Sequence, residues 1–303
     1  MTQPRHGEPL PLGGAQGLPY SKGVLARALT ASGVPADHAY ELARRVEEEL
    51  TATRDAALTP ERLDELAVAT FGDGEGREII RRIRRFRELR ELDLPIVVLI
   101  GGSTGTGKST LATEVAYRLG ITRVTSTDFI RQTMRAFFSS DFMPSIHYSS
   151  FEAHQALREP DEAQDPLVAG FLEQTRNVAV GMRASIERCL EEGWSMVLEG
   201  VHVVPGLLHE PADGALFVEC VLEIADEEAH AAHFFHRDLT SEERRPVLKY
   251  LDHLDAIRHI QGYVVARARR LGVPVIDNAN VDAAVGEVME LVLAAAERLH
   301  ARV

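Results

Sequence analysis

IVVLIGGSTGTGKST, residues 96 to 110, passes from an apolar, β-branched run into a glycine-rich loop and then into the helical pattern TLATEVAYRLG. Its centre, Gly102-Ser103-Thr104-Gly105-Thr106-Gly107-Lys108-Ser109, fulfils the Walker A spacing between a strand and a helix, the context in which that spacing binds phosphates. Glycines let backbone N–H groups turn inward around phosphate oxygens with no Cβ in the way, and the helix N-terminus adds partial positive charge. Lys108 supplies a compact cation for the β- and γ-phosphates of a nucleoside triphosphate, the Ser109 hydroxyl ligates Mg²⁺, and Thr110 continues the same turn. Of the 33 basic residues only Lys22, Lys108 and Lys249 are lysines. A wide planar guanidinium does not fit the cradle that an ammonium fills, which accounts for a lysine at position 108.

Working outward, short apolar or β-branched runs recur at Arg123 to Thr127, Met196 to Leu198, Leu216 to Ile224 and Val273 to Ile276, separated by helical stretches. The longest of these stretches, Asp165 to Glu192, precedes the third strand, and Val281 to Leu299 closes the chain. That alternation predicts an α/β fold, three-layered α/β/α around a mostly parallel five-stranded sheet. On the N-terminal side, residues 1–18 are rich in Gly and Pro and read as a flexible leader. Residues 19–75 read as a small helical domain: two helices joined by SGVPAD, then one capped by Thr59-Pro60 and ended at Phe71-Gly72-Asp73-Gly74. The glycines of GDGEG mark the expected boundary to a nucleotide-binding domain at 76–303, which opens with the amphipathic basic helix Arg77 to Arg90.

With 46 acidic against 33 basic side chains the net charge is -13, so a general coat of nucleic acid is excluded as a partner. Cys189 and Cys220 stand outside any CxxC or His-spaced pattern, which argues against a disulfide framework or a cysteine zinc site and fits a reducing cytoplasm. No apolar run approaches the ~18 residues of a spanning helix, so no membrane is expected as a partner. The sequence carries no mark of a particular oligomeric state.

The remaining strand ends narrow the chemistry. RVTSTD brings Asp128 to the carboxyl edge of the sheet, where ligands bind in this architecture, and Arg131 and Arg135 follow at i, i+4 spacing on one helix face. An acid beside two cations suits an anionic acceptor that carries a hydroxyl. The competing reading makes Asp128 a cap of the helix FIRQTMRAFF and leaves the arginines solvated. SMVLEG ends in Glu199-Gly200, a carboxylate placed to reach Mg²⁺ or orient the acceptor, with His202 just beyond. PSIHYSSFEAH reads as a polar loop entering a helix capped by Ser149 or Ser150, with His147, Tyr148 and Ser149 toward the acceptor. Arg237, Arg244 and Arg245 lie in a polar stretch that reads as an arginine-bearing lid. His230, His233 and His236, three apart, rotate too far around a helix to share a metal ion and read as packed or solvated.

Together, IVVLIGGSTGTGKST, RVTSTDFIRQTMR, the IHYSSFEA loop, VLEGVHVVPG and the HFFHRD to ERRP stretch resemble the 2-phosphoglycerate kinase family. The resemblance runs from Pro19 onward, and PYSKGVLARALTASGV is similar to that family's N-terminal ATP-cone-like segment. It implies an enzyme that uses ATP and Mg²⁺ to phosphorylate the 3-hydroxyl of 2-phosphoglycerate, giving 2,3-bisphosphoglycerate and ADP. On that reading Lys108 and the Walker A loop hold ATP, Ser109 and Glu199 manage the metal, and Asp128 orients or deprotonates the hydroxyl. Arg131, Arg135 and His147 clamp the acceptor's phosphate and carboxylate, with Tyr148, Ser149, Glu199 and His202 completing its pocket, while Arg237, Arg244 and Arg245 neutralise developing charge. Two other readings stand beside it: a kinase for another hydroxylated anion, such as a sugar acid or nucleotide sugar, and a nucleotide-sensing regulatory protein.

Overall fold

The protein is described from a computed structural model. The structure describes residues 20–53, 58–92, 94–158, 164–208, 214–240 and 247–300, without the side chains of 90, 91, 235–240, 247 and 300. The chain divides into two compact units, Met1–Asp93 with Tyr117–Gly120 and Leu293–Val303, and Leu94–Ala116 with Ile121–Val292.

In the first unit, apolar residues at helical spacing build α1 (Lys22–Ala31), α2 (Ala36–Thr53) and α3 (Pro60–Glu91). The Thr59 side chain accepts from the Arg62 N–H and Pro60 sits in the first turn, so α3 starts where the sequence places it. The glycine stretch kinks α3 at Gly72, whose φ of 81° is open to glycine, but it does not end the unit. Ile79 and Ile83, beyond the kink, bury against Leu25, Leu29, Leu42 and Leu63, so the amphipathic basic helix belongs with the helices before it. The boundary therefore falls near Asp93 and not at residue 75.

The second unit holds β1 (Ile96–Gly102), β2 (Val124–Ser126), β3 (Met196–Glu199), β4 (Leu216–Glu223) and β5 (Val275–Asp277). All are parallel, in the order β2-β3-β1-β4-β5. Between and after them come α4 (Lys108–Leu119), α5 (Thr127–Phe137), α6 (Pro166–Glu191), α7 (Glu227–Thr240), α8 (Val247–Asp252), α9 (Leu254–Leu271) and α10 (Val281–His300). Val97, Leu99 and Leu198 pack against Val178, Met182 and Ile186 of α6, and Val221 packs with the apolar stripe of α9. Residues pointing the other way, Val98, Ile100, Cys220 and Leu222, are fully buried as well. Both faces are thus covered, and the fold is the three-layer α/β P-loop arrangement.

The register sets Ile100 of β1 and Ser126 of β2 opposite Glu199 of β3, which gathers three strand ends at one edge. Two local expectations are corrected. β2 stops at Ser126, whose hydroxyl accepts from the Phe129 N–H, so Asp128 lies in the first turn of α5 and is not its cap. Ser149 and Ser150 do not cap an α-helix: the segment folds into 3-10 turns at Pro144–His147 and Ala153–Ala156. The Tyr148 carbonyl, which a helix starting there would use in its own ladder, accepts instead from Arg131 and Gln174. Among the described residues no helix is long and apolar enough to cross a membrane.

Candidate active site

The Walker A loop is shaped by its glycines and held from outside. Gly105 and Gly107 have φ of 87° and 78°, and a Cβ on Gly105 would fall 2.5 Å from the Phe234 ring. Side chains distant in sequence anchor the loop's outward-facing atoms. His230 Nε2 donates to Thr104 O at 2.8 Å, Asn278 Nδ2 to Thr106 O at 2.9 Å, and Ser103 Oγ to Gln261 Oε1 at 3.2 Å. His230, Gln261 and Asn278 are all buried. With those carbonyls engaged outward, the loop's shape is set without a ligand. Lys108 Nζ folds back to Ser103 O at 2.5 Å and Thr106 Oγ1 at 3.4 Å.

At the start of α4, Ser109 Oγ donates to Glu199 Oε1 at 2.9 Å, and Thr110 stands exposed in the same turn. A hydroxyl and a buried carboxylate in contact form an oxygen donor set, the kind a hard divalent cation such as Mg²⁺ takes. Among the described residues no group of three His, Cys, Asp or Glu could hold a metal ion, and His230 is buried.

A cavity of about 720 Å³ opens over this edge, bounded by the Walker A loop, the first turns of α5, the segment 147–152, Glu199 and the Lys249-Tyr250 pair of α8. Asp128, Arg135, His147, Tyr148 and Ser149 all line it. Arg135 is exposed and donates to Gln132 Oε1 at 3.0 Å, and the half-buried His147 donates from its ring to Phe138 O at 3.0 Å. Arg131 behaves differently. Its Nε and Nη2 donate to Asp128 Oδ1 at 3.1 and 2.7 Å, and its Nη1 to Ile146 O and Tyr148 O at 2.8 and 3.0 Å. Both arginines line the cavity, but they are not equivalent: Arg131, 8% exposed, is taken up by Asp128 and the 146–148 carbonyls, while Arg135 is exposed.

His202 departs from its expected role. It is 1% exposed with both ring nitrogens engaged, Nδ1 with Thr127 Oγ1 at 2.9 Å and Nε2 with Gln174 Oε1 at 3.0 Å. Because the Gln174 amide Nε2 donates to Ser145 O and Tyr148 O, its oxygen accepts, so His202 carries its proton on Nε2 and accepts from Thr127 at Nδ1. Burial, reinforced by the Arg131 charge, pushes the imidazole down to about 3, so it stays neutral. His202 lines the cavity as the sequence placed it, but with both ring nitrogens engaged it braces Thr127 and Gln174.

Glu152 and Lys249, which the motif reading passed over, meet inside the cavity at 2.7 Å. Burial raises the Glu152 carboxyl, but hydrogen bonds from Lys249 and Ser149 and the charges of Lys249 and His253 outweigh it, leaving the group below its ordinary value. Ser150 Oγ lies 3.5 Å from Thr104 Oγ1, which ties this end of the segment to the Walker A loop. The expected lid arginines Arg244 and Arg245, and the Arg237 side chain, lie outside the described residues.

No protein-family model matches the chain. Over 272 residues it is 38% identical to a 2-phosphoglycerate kinase of Thermococcus kodakarensis, covering 90% of this chain and 92% of that protein. It is 40% identical over 268 residues to a 2-phosphoglycerate kinase of Methanothermobacter thermautotrophicus, covering 87% and 86%. Among solved structures it is similar to a shikimate kinase from Bacteroides thetaiotaomicron, with a TM-score of 0.36 at 14% identity over 65% of this chain and 97% of that one.

Proposed function

The chain belongs to the 2-phosphoglycerate kinase family, and on that premise we propose that it transfers the γ-phosphoryl group of ATP to the 3-hydroxyl of 2-phosphoglycerate, giving 2,3-bisphosphoglycerate and ADP. The observation that carries the reading is the juxtaposition in one cavity of a Walker A loop with Asp128, Arg135 and His147. The acceptor offers a phosphate, a carboxylate and a primary hydroxyl, and that set matches cations flanking a carboxylate.

Transfer of this kind passes through a loose, in-line transition state, so positioning and charge supply most of the rate enhancement. Lys108 leaves the Ser103 carbonyl for the β- and γ-phosphate oxygens, and the inward backbone N–H groups take the rest. Asp128 accepts the hydrogen bond of the attacking hydroxyl and receives its proton late in the transfer. Arg131, bound to one oxygen of that carboxylate, fixes its direction. Arg135 and His147 bind the acceptor's anionic groups. Mg²⁺, held by Ser109 and Glu199, would offset charge on the phosphates when bound. Arg237, Arg244 and Arg245 enter the proposal from the sequence alone, as cations for the charge that builds on the transferred group.

The test is acceptor-dependent ADP release with Mg²⁺-ATP against a panel of phosphorylated hydroxy acids, sugar acids and nucleosides. 2-Phosphoglycerate is expected to give the highest kcat/KM, with product phosphorylated at carbon 3. Preference for a neutral sugar or nucleoside would overturn the reading.

A further inference from the structure

Three carboxylates, Asp128, Glu152 and Glu199, line a cavity that on the proposed function must admit an acceptor bearing both a phosphate and a carboxylate. Each repels that ligand unless a positive partner offsets it. Asp128 has Arg131, and Glu199 faces Ser109 in the oxygen donor set. Glu152 has Lys249, and nothing in the phosphate-binding motif requires either residue.

We propose that Lys249 is a binding residue for the acceptor's anionic group and that Glu152 sets its position and weakens its pull. The inference rests on the proposed function and deepens it. An ammonium carries three donors, so Lys249 can keep its bond to Glu152 and still reach a ligand oxygen. Both side chains line the cavity, Lys249 43% exposed and Glu152 17%. The mounting of Lys249 is firm: Phe151 is buried and its ring stands 6.0 Å from that of Tyr250 and 5.1 Å from that of His253, so α8 is packed onto the 149–152 turn. Tyr250, next to Lys249, stacks on Phe234, whose ring stands against Gly105, so this part of α8 lies on the Walker A side of the cavity. Arg135 stands on α5, so the acceptor would lie between two cations carried by different elements.

Residue choice points the same way. The chain uses lysine three times, and Lys22 is engaged with Glu47 in the other unit, so two of the three lysines line one cavity. A guanidinium at position 249 would close a two-pronged bond on Glu152, whereas an ammonium shares its charge between Glu152 and a ligand.

Steady-state kinetics of the full chain with Mg²⁺-ATP and 2-phosphoglycerate test this through the sign of two substitutions. Lys249→Gln should raise the KM for 2-phosphoglycerate ~10-fold or more, as for loss of a charge-assisted hydrogen bond, and leave the KM for ATP within about two-fold. Glu152→Gln keeps an oxygen for Lys249 but removes the repelling charge, so it should lower the acceptor KM. The double variant should lie between wild type and Lys249→Gln. If the two single variants raise the acceptor KM alike, or Lys249→Gln leaves it unmoved, the pair is only a brace and the proposal is overturned. Should Lys249→Gln fail to fold, the direction of the Glu152→Gln change decides. Lack of any wild-type turnover of 2-phosphoglycerate would overturn the proposed function itself, a result distinct from active wild type with unmoved variants.

Discussion

On the proposed function, the groups of the Walker A loop, Gly102 to Lys108, that would meet the ligand are mostly backbone N–H donors, while side chains from α7, α9 and the end of β5 hold the loop in shape. In the acceptor segment, residues 144–152, the roles are exchanged. There the backbone carbonyls of Ser145, Ile146 and Tyr148 are anchoring points for Arg131 and Gln174, and the groups that would meet the ligand are side chains lining the cavity. A backbone cradle suits what every nucleotide shares, its phosphates. Side chains on a braced turn suit a small acceptor that must be told apart from other small acids.

The sharpest way to break the nucleotide half is Lys108→Ala. Its ammonium contributes charge to the transferring group and little packing, so kcat should fall by ~10³ or more with thermal unfolding nearly unchanged. Near wild-type turnover in a folded variant would remove this loop from the chemistry. Asp128→Asn sharpens the acceptor half. It should cut kcat by ~10² while the ATP dissociation constant stays put, as for loss of a group that takes the proton. A change confined to ATP affinity would move Asp128 to the metal side of the cavity.

A smaller effect probes the braces. His202 is neutral in the fold and titrates at its ordinary value, near 6.5, in the unfolded chain. The unfolded state therefore binds more protons between that value and about 3, so the stabilisation is complete above pH ~6.5 and is lost progressively as pH falls. Burial lowers the His230 pKa as well, which adds a loss of the same sign. His202→Gln should melt less steeply with acidification from pH 7 to 4 than wild type, read as the slope of Tm against pH. Parallel slopes would mean that the buried imidazole is not the titrating group.

The same contrast explains what the sequence made visible. Eight consecutive residues spell the phosphate cradle, and the β-branched runs around Val97, Val197 and Val221 announce the sheet because a strand buried on both faces has little choice of residue. The proposed acceptor side is lined by α5, α8 and the 147–152 turn and braced by Gln174 of α6, more than a hundred residues of chain, and no local pattern records which partners meet. Arg131 illustrates the cost. Its i, i+4 spacing to Arg135 is real, yet Asp128 and two carbonyls claim its guanidinium. His202 was readable only as a polar residue after a strand, since its partners Thr127 and Gln174 are set by folding. Some signals were present. Gln174 and Thr175 interrupt the apolar side of a long helix, where polar residues persist only if bonded, and Lys249 is a lysine in an arginine-rich chain.

The division of labour itself is tested by one crossed measurement, the KM values for ATP and for 2-phosphoglycerate in Asn278→Ala and Arg135→Ala. Asn278→Ala, which frees the Thr106 carbonyl, should raise the KM for ATP several-fold and leave the acceptor's unchanged. Arg135→Ala should do the reverse, raising the acceptor KM by ~10-fold, the scale of a lost charge-assisted contact. Equal shifts in both constants for both variants, or the opposite pairing, would contradict it.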